Sequence, residues 1–318
     1  MYRRKKIESY IEYGYTVLEN NLISIIQKPI ATIMMLHHVN ETSIYRINCL
    51  KDNSITPDFL ENTIKWLLDK KFEFVSISDL EHALNNNLWD GNGRKLVISI
   101  DDGYKDTYDK AFPIFEKYKI PFIFYVSSAF PDKTVLLWWK YLNDIISLND
   151  KIQLNNGNVL LCDTYEKKQK VYISLSKKIL RMGNNINNDF NKLFKNSIEE
   201  IIEKYKELLI DWQSIKEMSM SEFCSIGAHS TNHIGLRYCD SEYVMADIIK
   251  NKRKIEEIIG KDVRHFAYPF GTHFSVGRRD YKLAIKAGFA TATATYSSDV
   301  FPYHKNNLYC LPRKMLHE

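Results

Sequence analysis

Two short motifs in this chain carry residues that could together bind a metal ion. The first is Asp101-Asp102-Gly103, which follows the apolar run Ile98-Ser99-Ile100. The second is His229-Ser230-Thr231-Asn232-His233, in which two histidines stand four residues apart. Histidine and aspartate are ligands that Zn²⁺ and similar ions accept, and a spare carboxylate beside them can act as a base toward water. These residues predict a metal-dependent hydrolase.

Each motif alone has a simpler interpretation. Asp-Asp-Gly can be an ordinary turn in which an aspartate caps the residues from Tyr104 onward, and the residues between the histidines can serve as caps. Both motifs, however, directly follow a predicted strand. Active sites of α/β proteins are built at that edge of a parallel sheet. The shared position therefore favours one common site.

Predicted strands and helices alternate along most of the chain. Repeated βα units predict parallel strands with helices outside, in a barrel or an open sheet. The predicted strands are 31–39, 72–77, 95–100, 121–127, 223–227, 264–268 and 289–293, and the predicted helices are 57–70, 78–84, 107–118, 242–259 and 280–287. Residues 138–209 differ, because they are mostly helical with one polar loop at Asn155-Asn156-Gly157. We interpret them as an insertion in one domain, 31–318, that follows an N-terminal helical extension, 1–30.

Composition excludes several other classes of protein. With 45% hydrophobic residues in 318, the chain can bury a large core and is not of the disordered class. The net charge of +5 suits an anionic substrate or an acidic membrane surface and gives no reason to expect nucleic acid. Five cysteines without a C-x-x-C pair argue against a disulfide scaffold and for a reducing compartment.

Targeting signals are not evident in the sequence. Residues 7–21 carry three glutamates where a signal peptide would be apolar, and no run of 18 apolar residues occurs. We therefore expect a cytoplasmic protein. The amphipathic stretch 7–26 allows peripheral membrane contact or a dimer contact, and the oligomeric state is left open.

The motifs resemble those of the polysaccharide deacetylase family, the NodB-like carbohydrate esterases of family 4. Ser99-Ile100-Asp101-Asp102-Gly103 is similar to its T-F-D-D-G, the histidine motif to its H-[ST]-x-x-H, and Phe266-Ala267-Tyr268-Pro269-Phe270-Gly271 to its R-x-P-Y-G region. The similarity extends from about residue 30 to residue 313. It implies an irregular (β/α)7 TIM-like barrel with a helical insertion. It also implies removal of an N-acetyl, or less often an O-acetyl, group from a sugar.

The resemblance also implies roles for individual residues. Asp102, His229 and His233 would hold a divalent metal, usually zinc, with cobalt, nickel and manganese as chemically suitable alternatives. Asp101 would be the general base. The backbone N–H near Phe270 would help to hold the oxyanion, and Tyr268 in the same segment is predicted to contact substrate.

Aromatic residues at the start of the insertion add a further substrate-contact prediction. Trp139, with Trp138, could stack on a sugar ring at the rim of the site. The alternative role of the two tryptophans is to pack the insertion onto the barrel.

The sequence departs from the family pattern at two places. Ala267 stands where the family has an arginine, and Arg313 could supply that charge or could be a structural arginine near the C-terminus. The second departure concerns the catalytic acid, which in the family is often a histidine on a late strand. The C-terminal candidate here is His317, at the very end of the chain. Leu36-His37-His38-Val39 resembles a tyrosine-histidine pair on the first strand of one branch, with leucine in place of tyrosine.

From that likeness we expect His37 to protonate the leaving amine and His38 to point to the opposite side. The alternative is that His37 is a hydrogen-bonded core histidine.

Together these observations predict a metal-dependent deacetylase of an N-acetylated amino sugar. A nucleotide-linked or lipid-linked sugar in the assembly of surface polysaccharide or glycoconjugate fits the expected location. Three alternatives stay open: a barrel that binds carbohydrate without catalysis, a hydrolase of a non-sugar C–N amide bond, and a membrane-associated scaffold.

Overall fold

The computed structural model describes residues 28–43, 46–47, 53–89 and 93–318. Almost all of the predicted N-terminal extension, and with it the amphipathic stretch 7–26, lies outside these residues. No helix within the described ranges is long and apolar enough to cross a bilayer.

Strands and helices alternate along the described chain. The strands are β1 (Ala31–Leu36), β2 (His38–Val39), β3 (Ser54–Ile55), β4 (Glu73–Phe74), β5 (Lys95–Asp102), β6 (Phe122–Val126), β7 (Lys151–Gln153), β8 (Val159–Leu161), β9 (Cys224–Ala228), β10 (His265–Ala267), β11 (Thr291–Thr293) and β12 (Lys314–Met315). The α-helices are α1 (Pro57–Asp69), α2 (Ile77–Asn86), α3 (Phe112–Tyr118), α4 (Trp138–Leu148), α5 (Tyr165–Leu180), α6 (Ile186–Leu193), α7 (Ile198–Tyr205), α8 (Trp212–Met220), α9 (Ser241–Ile259) and α10 (Arg278–Lys286).

One parallel sheet positions the residues of interest. Its strand order is β11-β10-β9-β6-β5-β1-β12, with β4 also paired to β5. The central strand, β5, is buried from Leu96 to Asp102. It is buried on both faces, which explains why its sequence is a nearly continuous apolar run without alternation.

The segment from Leu311 to Met315 joins the two edges of this sheet. Leu311 forms a parallel bridge with Thr293 of β11, and Met315 pairs with Met35 of β1. The sheet therefore curls into an irregular barrel with the helices outside. The predicted (β/α)7 TIM-like fold is confirmed.

Local sequence explains most helix boundaries. Thr56 caps α1 just before Pro57, and Ser76 with Asp79 forms a capping box at the start of α2. The predicted helix 107–118 differs, because it opens with a π-helical turn, Thr107–Ala111, before α3. Pro113 lacks a backbone N–H, so a regular α-helical hydrogen bond cannot form at that position.

The insertion at 138–209 lies between β6 and β9 of the sheet, and its apolar side chains form a second core cluster together with residues outside it, such as Tyr104 and Phe130. It contains α4 to α7, as the helical pattern predicts. The expected polar loop is instead the turn of a hairpin, because β7 and β8 pair antiparallel on either side of it. Gly157 adopts a φ of 85° in this turn, a conformation that glycine allows without strain.

Candidate metal centre and active site

The ends of three neighbouring strands bring the two sequence motifs together. In the sheet, Asp102 of β5 pairs with Val126 of β6, and Val126 pairs with Ala228 of β9. The strand ends are therefore level, and His229 follows directly after β9. Parallel pairing through β6 thus places Asp102 near the histidine motif, although more than 100 residues separate them in sequence.

Asp102 turns toward the histidines through an unusual backbone conformation. Its φ is 86°, a value that costs a non-glycine residue about 1–3 kcal/mol, and such strain concentrates at functional sites. The next residue, Gly103, packs so closely that an added Cβ would lie 2.5 Å from Cβ of Phe130. The Asp-Asp-Gly motif therefore forms a strained and closely packed strand end, where a simple capping turn was the alternative.

Asp102, His229 and His233 form a cluster with the composition of a metal site. The Oδ1 atom of Asp102 lies 2.9 Å from Nε2 of His233 and 3.4 Å from Nε2 of His229. One ligand atom from each residue falls within 4.8 Å of the others, and all three side chains are buried. Oδ1 of Asp102 has no hydrogen-bond partner within the described part of the chain.

The hydrogen bonds around the cluster suit a divalent cation. Nδ1 of His229 lies 2.7 Å from the carbonyl oxygen of Ala267, so it carries the proton and leaves Nε2 free as a ligand. The ring of His233 is held between aromatic rings, with centroids 4.7 Å from Phe270 and 4.8 Å from Trp139. The residues present fit a metal ion with one carboxylate and two imidazole ligands.

Asp101 forms a buried, bidentate ion pair with Arg313. Nη1 and Nη2 of the guanidinium each lie 2.6 Å from one carboxylate oxygen, and Nε donates to the carbonyl of Ala294. Burial acts to raise the pKa of Asp101, but the charges of Arg313 and His229 outweigh it and hold that pKa below its usual range. Asp101 is therefore an oriented, ionised carboxylate. Arg313 is fully buried and is not a surface residue.

His37 and His38 contact different groups. Nδ1 of His37 is buried without a hydrogen-bond partner in the described ranges, and Asp102 and Asp101 are the charges that raise its pKa most. Burial is the larger effect, and it lowers the pKa of His37 below 6.5. Nδ1 of His38 instead lies 2.8 Å from Oδ2 of Asp106. The charges of Asp101 and Asp102 thus act on His37, whereas His38 is hydrogen-bonded to a different aspartate.

Comparison with known protein families decides the class of this site. Residues 90–291 match the family described as polysaccharide deacetylase. The chain belongs to this family. The predicted enzyme class, a carbohydrate deacetylase that hydrolyses carbon–nitrogen bonds, is confirmed at the level of the family. Comparison with curated protein sequences finds no match.

Solved structures of deacetylases share the fold at low sequence identity. The Streptococcus pyogenes deacetylase PplD in complex with acetate has a TM-score of 0.58 at 14% identity, covering 91% of this chain and 93% of that one. IcaB from Ammonifex degensii has a TM-score of 0.57 at 17% identity, with the same coverage of 91% and 93%. A de-N-acetylase from Aggregatibacter actinomycetemcomitans has a TM-score of 0.55 at 15% identity, covering 90% and 95%.

Two of the aromatic residues predicted to contact substrate lie against His233, one of the three candidate metal ligands. Trp139 is buried, its Nε1 donates to the hydroxyl of Tyr104, and its ring contacts His233. It packs the insertion onto the histidine motif, which was the alternative interpretation. The ring of Phe270 also contacts His233. The backbone turns at Phe270, directly after Pro269, through a φ of 60°.

The prediction that Tyr268 contacts substrate is wrong. Its side chain alternates with Ala267, lies beside Phe266 in the apolar core, and donates from its hydroxyl to the carbonyl of Tyr309. Burial raises the pKa of this phenol well above its usual value. Successive residues of a strand face opposite sides. Because Ala267 faces the barrel interior, Tyr268 points toward the helices.

Two residues near the histidine motif escaped the sequence prediction. Asp247 and Asn251 lie one turn apart on the buried side of α9 and form hydrogen bonds to the turn between His229 and His233. The available signal was an aspartate and an asparagine, four residues apart, on the apolar face of a predicted helix. His317, the histidine at the end of the chain, is exposed. His265 of β10 is hydrogen-bonded to Ser78 and Thr291.

Proposed function

We propose that this deacetylase removes the N-acetyl group of an amino sugar with a divalent metal held by Asp102, His229 and His233. The observation that carries the proposal is the buried set of converging ligand atoms beside the ionised Asp101. A barrel that only binds carbohydrate has no use for a strained Asp102 and a buried arginine–carboxylate pair at the same place. The arrangement thus favours catalysis over the binding-only alternative.

Each residue has a chemical task in the proposed reaction. When bound, the metal supplies Lewis acidity that polarises the acetyl carbonyl and makes water easier to deprotonate. Asp101 accepts the proton from the attacking water, and Arg313 keeps this carboxylate ionised and oriented. The backbone N–H of Phe270 donates to the oxyanion that develops on the acetyl group. His37 gives a proton to the leaving amine, which departs as the C–N bond breaks.

The substrate proposal is finer than the family assignment. A related structure of similar fold is named as a de-N-acetylase, which supports an N-acetyl over an O-acetyl substrate. The net charge of +5 supports a phosphate-bearing substrate, such as a nucleotide-linked or lipid-linked amino sugar of surface polysaccharide assembly. We propose zinc as the metal, with cobalt, nickel or manganese as alternatives. The cytoplasmic location and peripheral membrane contact stay predictions.

Metal content and acetate release, measured on the same samples, test this proposal. We would compare the wild type with His229→Ala, and use His82→Ala as the matched control because His82 is exposed on α2. Substrates are UDP-linked N-acetylated sugars and N-acetylated oligosaccharides. We expect about one metal per chain and acetate release in the wild type and the control, and neither in His229→Ala.

Three other outcomes would correct the proposal. A wild type without metal after reconstitution would refute metal dependence and favour a binding barrel. Metal without acetate release from any sugar, but with hydrolysis of cyclic or linear amides, would favour the non-sugar alternative. Acetate release from exported polymers alone would refute the cytoplasmic, carrier-linked substrate.

A further inference from the structure

Helix α9 contacts the turn that contains both histidine ligands. Asp247 and Asn251 stand four residues apart on α9, and their side chains are 5% and 0% exposed. Residues at this spacing share one face of a helix. This face points at the segment His229–His233, and neither side chain is itself among the proposed metal ligands.

Asn251 fixes the position of the first histidine. Its Oδ1 accepts a hydrogen bond from the backbone N–H of His229 at 3.0 Å, and its Nδ2 donates to the carbonyl of Val126 at 3.1 Å. His229 N also lies 3.1 Å from the same carbonyl of Val126. The amide therefore joins the end of β6 to the end of β9 at the point where the first imidazole leaves the sheet.

Asp247 fixes the residues between the two histidines. Its Oδ2 accepts from the backbone N–H of Thr231 at 2.8 Å, and its Oδ1 accepts from Nδ2 of Asn232 at 2.8 Å. The backbone carbonyl of Asp247 accepts from Oγ1 of Thr231, also at 2.8 Å. Three hydrogen bonds thus connect one residue of α9 to the centre of the turn.

The turn needs such support because its backbone is strained. Ser230 has a φ of 63° and His233 a φ of 48°, both in the left-handed region that side chains disfavour. A conformation of this kind persists only where surrounding contacts hold it. Apolar side chains on α9, among them Val244 and Ile248, already pack the helix against the core. The buried carboxylate and amide add nothing to that apolar packing, and their hydrogen bonds go to the turn and to the end of β6.

We propose that Asp247 and Asn251 are positioning residues that set the metal affinity of the site, because they hold His229 and His233 in the geometry that ligation requires. This inference rests on the proposed function only in that a divalent metal binds there. In other proteins, removing a side chain that orients a metal ligand weakens metal binding by about 10–100-fold.

The test is the dissociation constant for Zn²⁺, measured on the full chain by competition with a chromogenic chelator. We expect Asp247→Ala and Asn251→Ala each to bind Zn²⁺ about 10–100-fold more weakly than the wild type. Asp247→Asn should fall between, because its amide keeps one oxygen that can accept from Thr231 N in place of Oδ2. The visible absorption of bound Co²⁺ should also change in the two alanine variants, since it reports coordination geometry.

A control variant separates positioning from stability. Ile248→Ala removes a buried apolar side chain on the same helix. An isoleucine side chain has no polar atom, so it forms no hydrogen bond to the turn. It should lower the melting temperature of the metal-free protein and leave the Zn²⁺ affinity and the Co²⁺ spectrum unchanged. If an alanine variant does not fold, the same titration is done on the isosteric Asp247→Asn and on Asn232→Ala, whose side chain is exposed. These two variants then decide whether the hydrogen bonds to the turn set the Zn²⁺ affinity.

The outcomes distinguish this inference from the proposed function. Variants that bind Zn²⁺ as tightly as the wild type, or an equal loss of affinity in Ile248→Ala, would overturn the positioning role while the metal site stands. A wild type that binds no divalent metal would overturn the proposed function, and the positioning role with it.

Discussion

The buried pair of Asp101 and Arg313 gives the sharpest prediction about this protein. We consider the substitution Arg313→Met, which keeps much of the side-chain volume and removes the charge. The two N–O distances of 2.6 Å and the burial of both side chains show that the guanidinium is the close, bidentate partner of this carboxylate. The variant therefore leaves a carboxylate in the barrel interior without a counter-charge.

The expected loss of stability follows from that burial. Removing one partner of a buried ion pair costs about 3–5 kcal/mol, compared with about 0–1 kcal/mol for a pair at the surface. Burial already acts to raise the pKa of Asp101, and the substitution removes Arg313, the charge that opposes this effect most. The pKa of this carboxyl should therefore rise above its usual range in the variant, which weakens its capacity as a base. With the lost orientation, we expect turnover to fall about 100-fold or more.

Urea unfolding at several pH values and acetate release measure the two effects separately. In the wild type, the lowered pKa of Asp101 means that the pair stabilises the fold at neutral pH, and that this contribution is lost only in strong acid. In the variant the sign reverses, because the folded protein now binds the proton more tightly than the unfolded chain does. Its stability deficit should therefore be largest at neutral pH and should shrink as the pH falls toward about 4.

Two further variants complete this design. Asp101→Asn combined with Arg313→Met removes both charges, so most of the stability should return while turnover is not restored. Arg264→Met is the matched control, because Arg264 pairs with Glu81 but is 53% exposed, and it should change stability by at most about 1 kcal/mol. Wild-type turnover in Arg313→Met, or a stability deficit that does not depend on pH, would refute the reasoning.

Three other predictions test separate parts of the site. Because burial lowers the pKa of His37 below 6.5, its protonated form is lost as the pH rises, and the decline of kcat/KM with rising pH should begin below pH 6.5. The variant His37→Gln should lose about 100-fold or more in kcat together with this decline, and an unchanged pH profile would show that another group is the acid. Gly103→Ala should destabilise the protein in thermal unfolding and reduce metal content, because the added Cβ would lie 2.5 Å from Cβ of Phe130; normal melting and metal content would contradict the packing argument. Tyr268→Phe should cost about 1 kcal/mol through the lost hydrogen bond to Tyr309 and leave KM unchanged, whereas a raised KM would restore its predicted substrate contact.

Much of the candidate site could be recognised from local sequence. The motifs 101–103 and 229–233 follow apolar strands, so their residues had to meet at one edge of a parallel sheet whatever the details of the barrel. The repeated change between strand and helix patterns likewise predicted the fold class. Hydrophobic periodicity missed the hairpin of β7 and β8, because strands of three residues are too short to show a period.

Side-chain direction at short strands was less predictable. The resemblance placed Tyr268 at the site, but β10 is only three residues long and the alternation of its neighbours turns that ring into the core. His37 and His38 stand at the junction of β1 and β2, and the role of His37 as the catalytic acid stays a prediction. A one-residue difference in where a strand ends decides which side chain reaches the pocket.

The sequence by itself determined the residues that can do chemistry and the strands that carry them, because both depend on neighbours within a few positions. The tertiary structure alone decided which distant groups complete the site. Arg313 reaches Asp101 across 212 positions because the C-terminal segment joins the two edges of the sheet. Asp247 and Asn251 meet the histidine turn because α9 packs beside β9. Such pairs depend on strand order and helix packing, and no local pattern in the sequence records these.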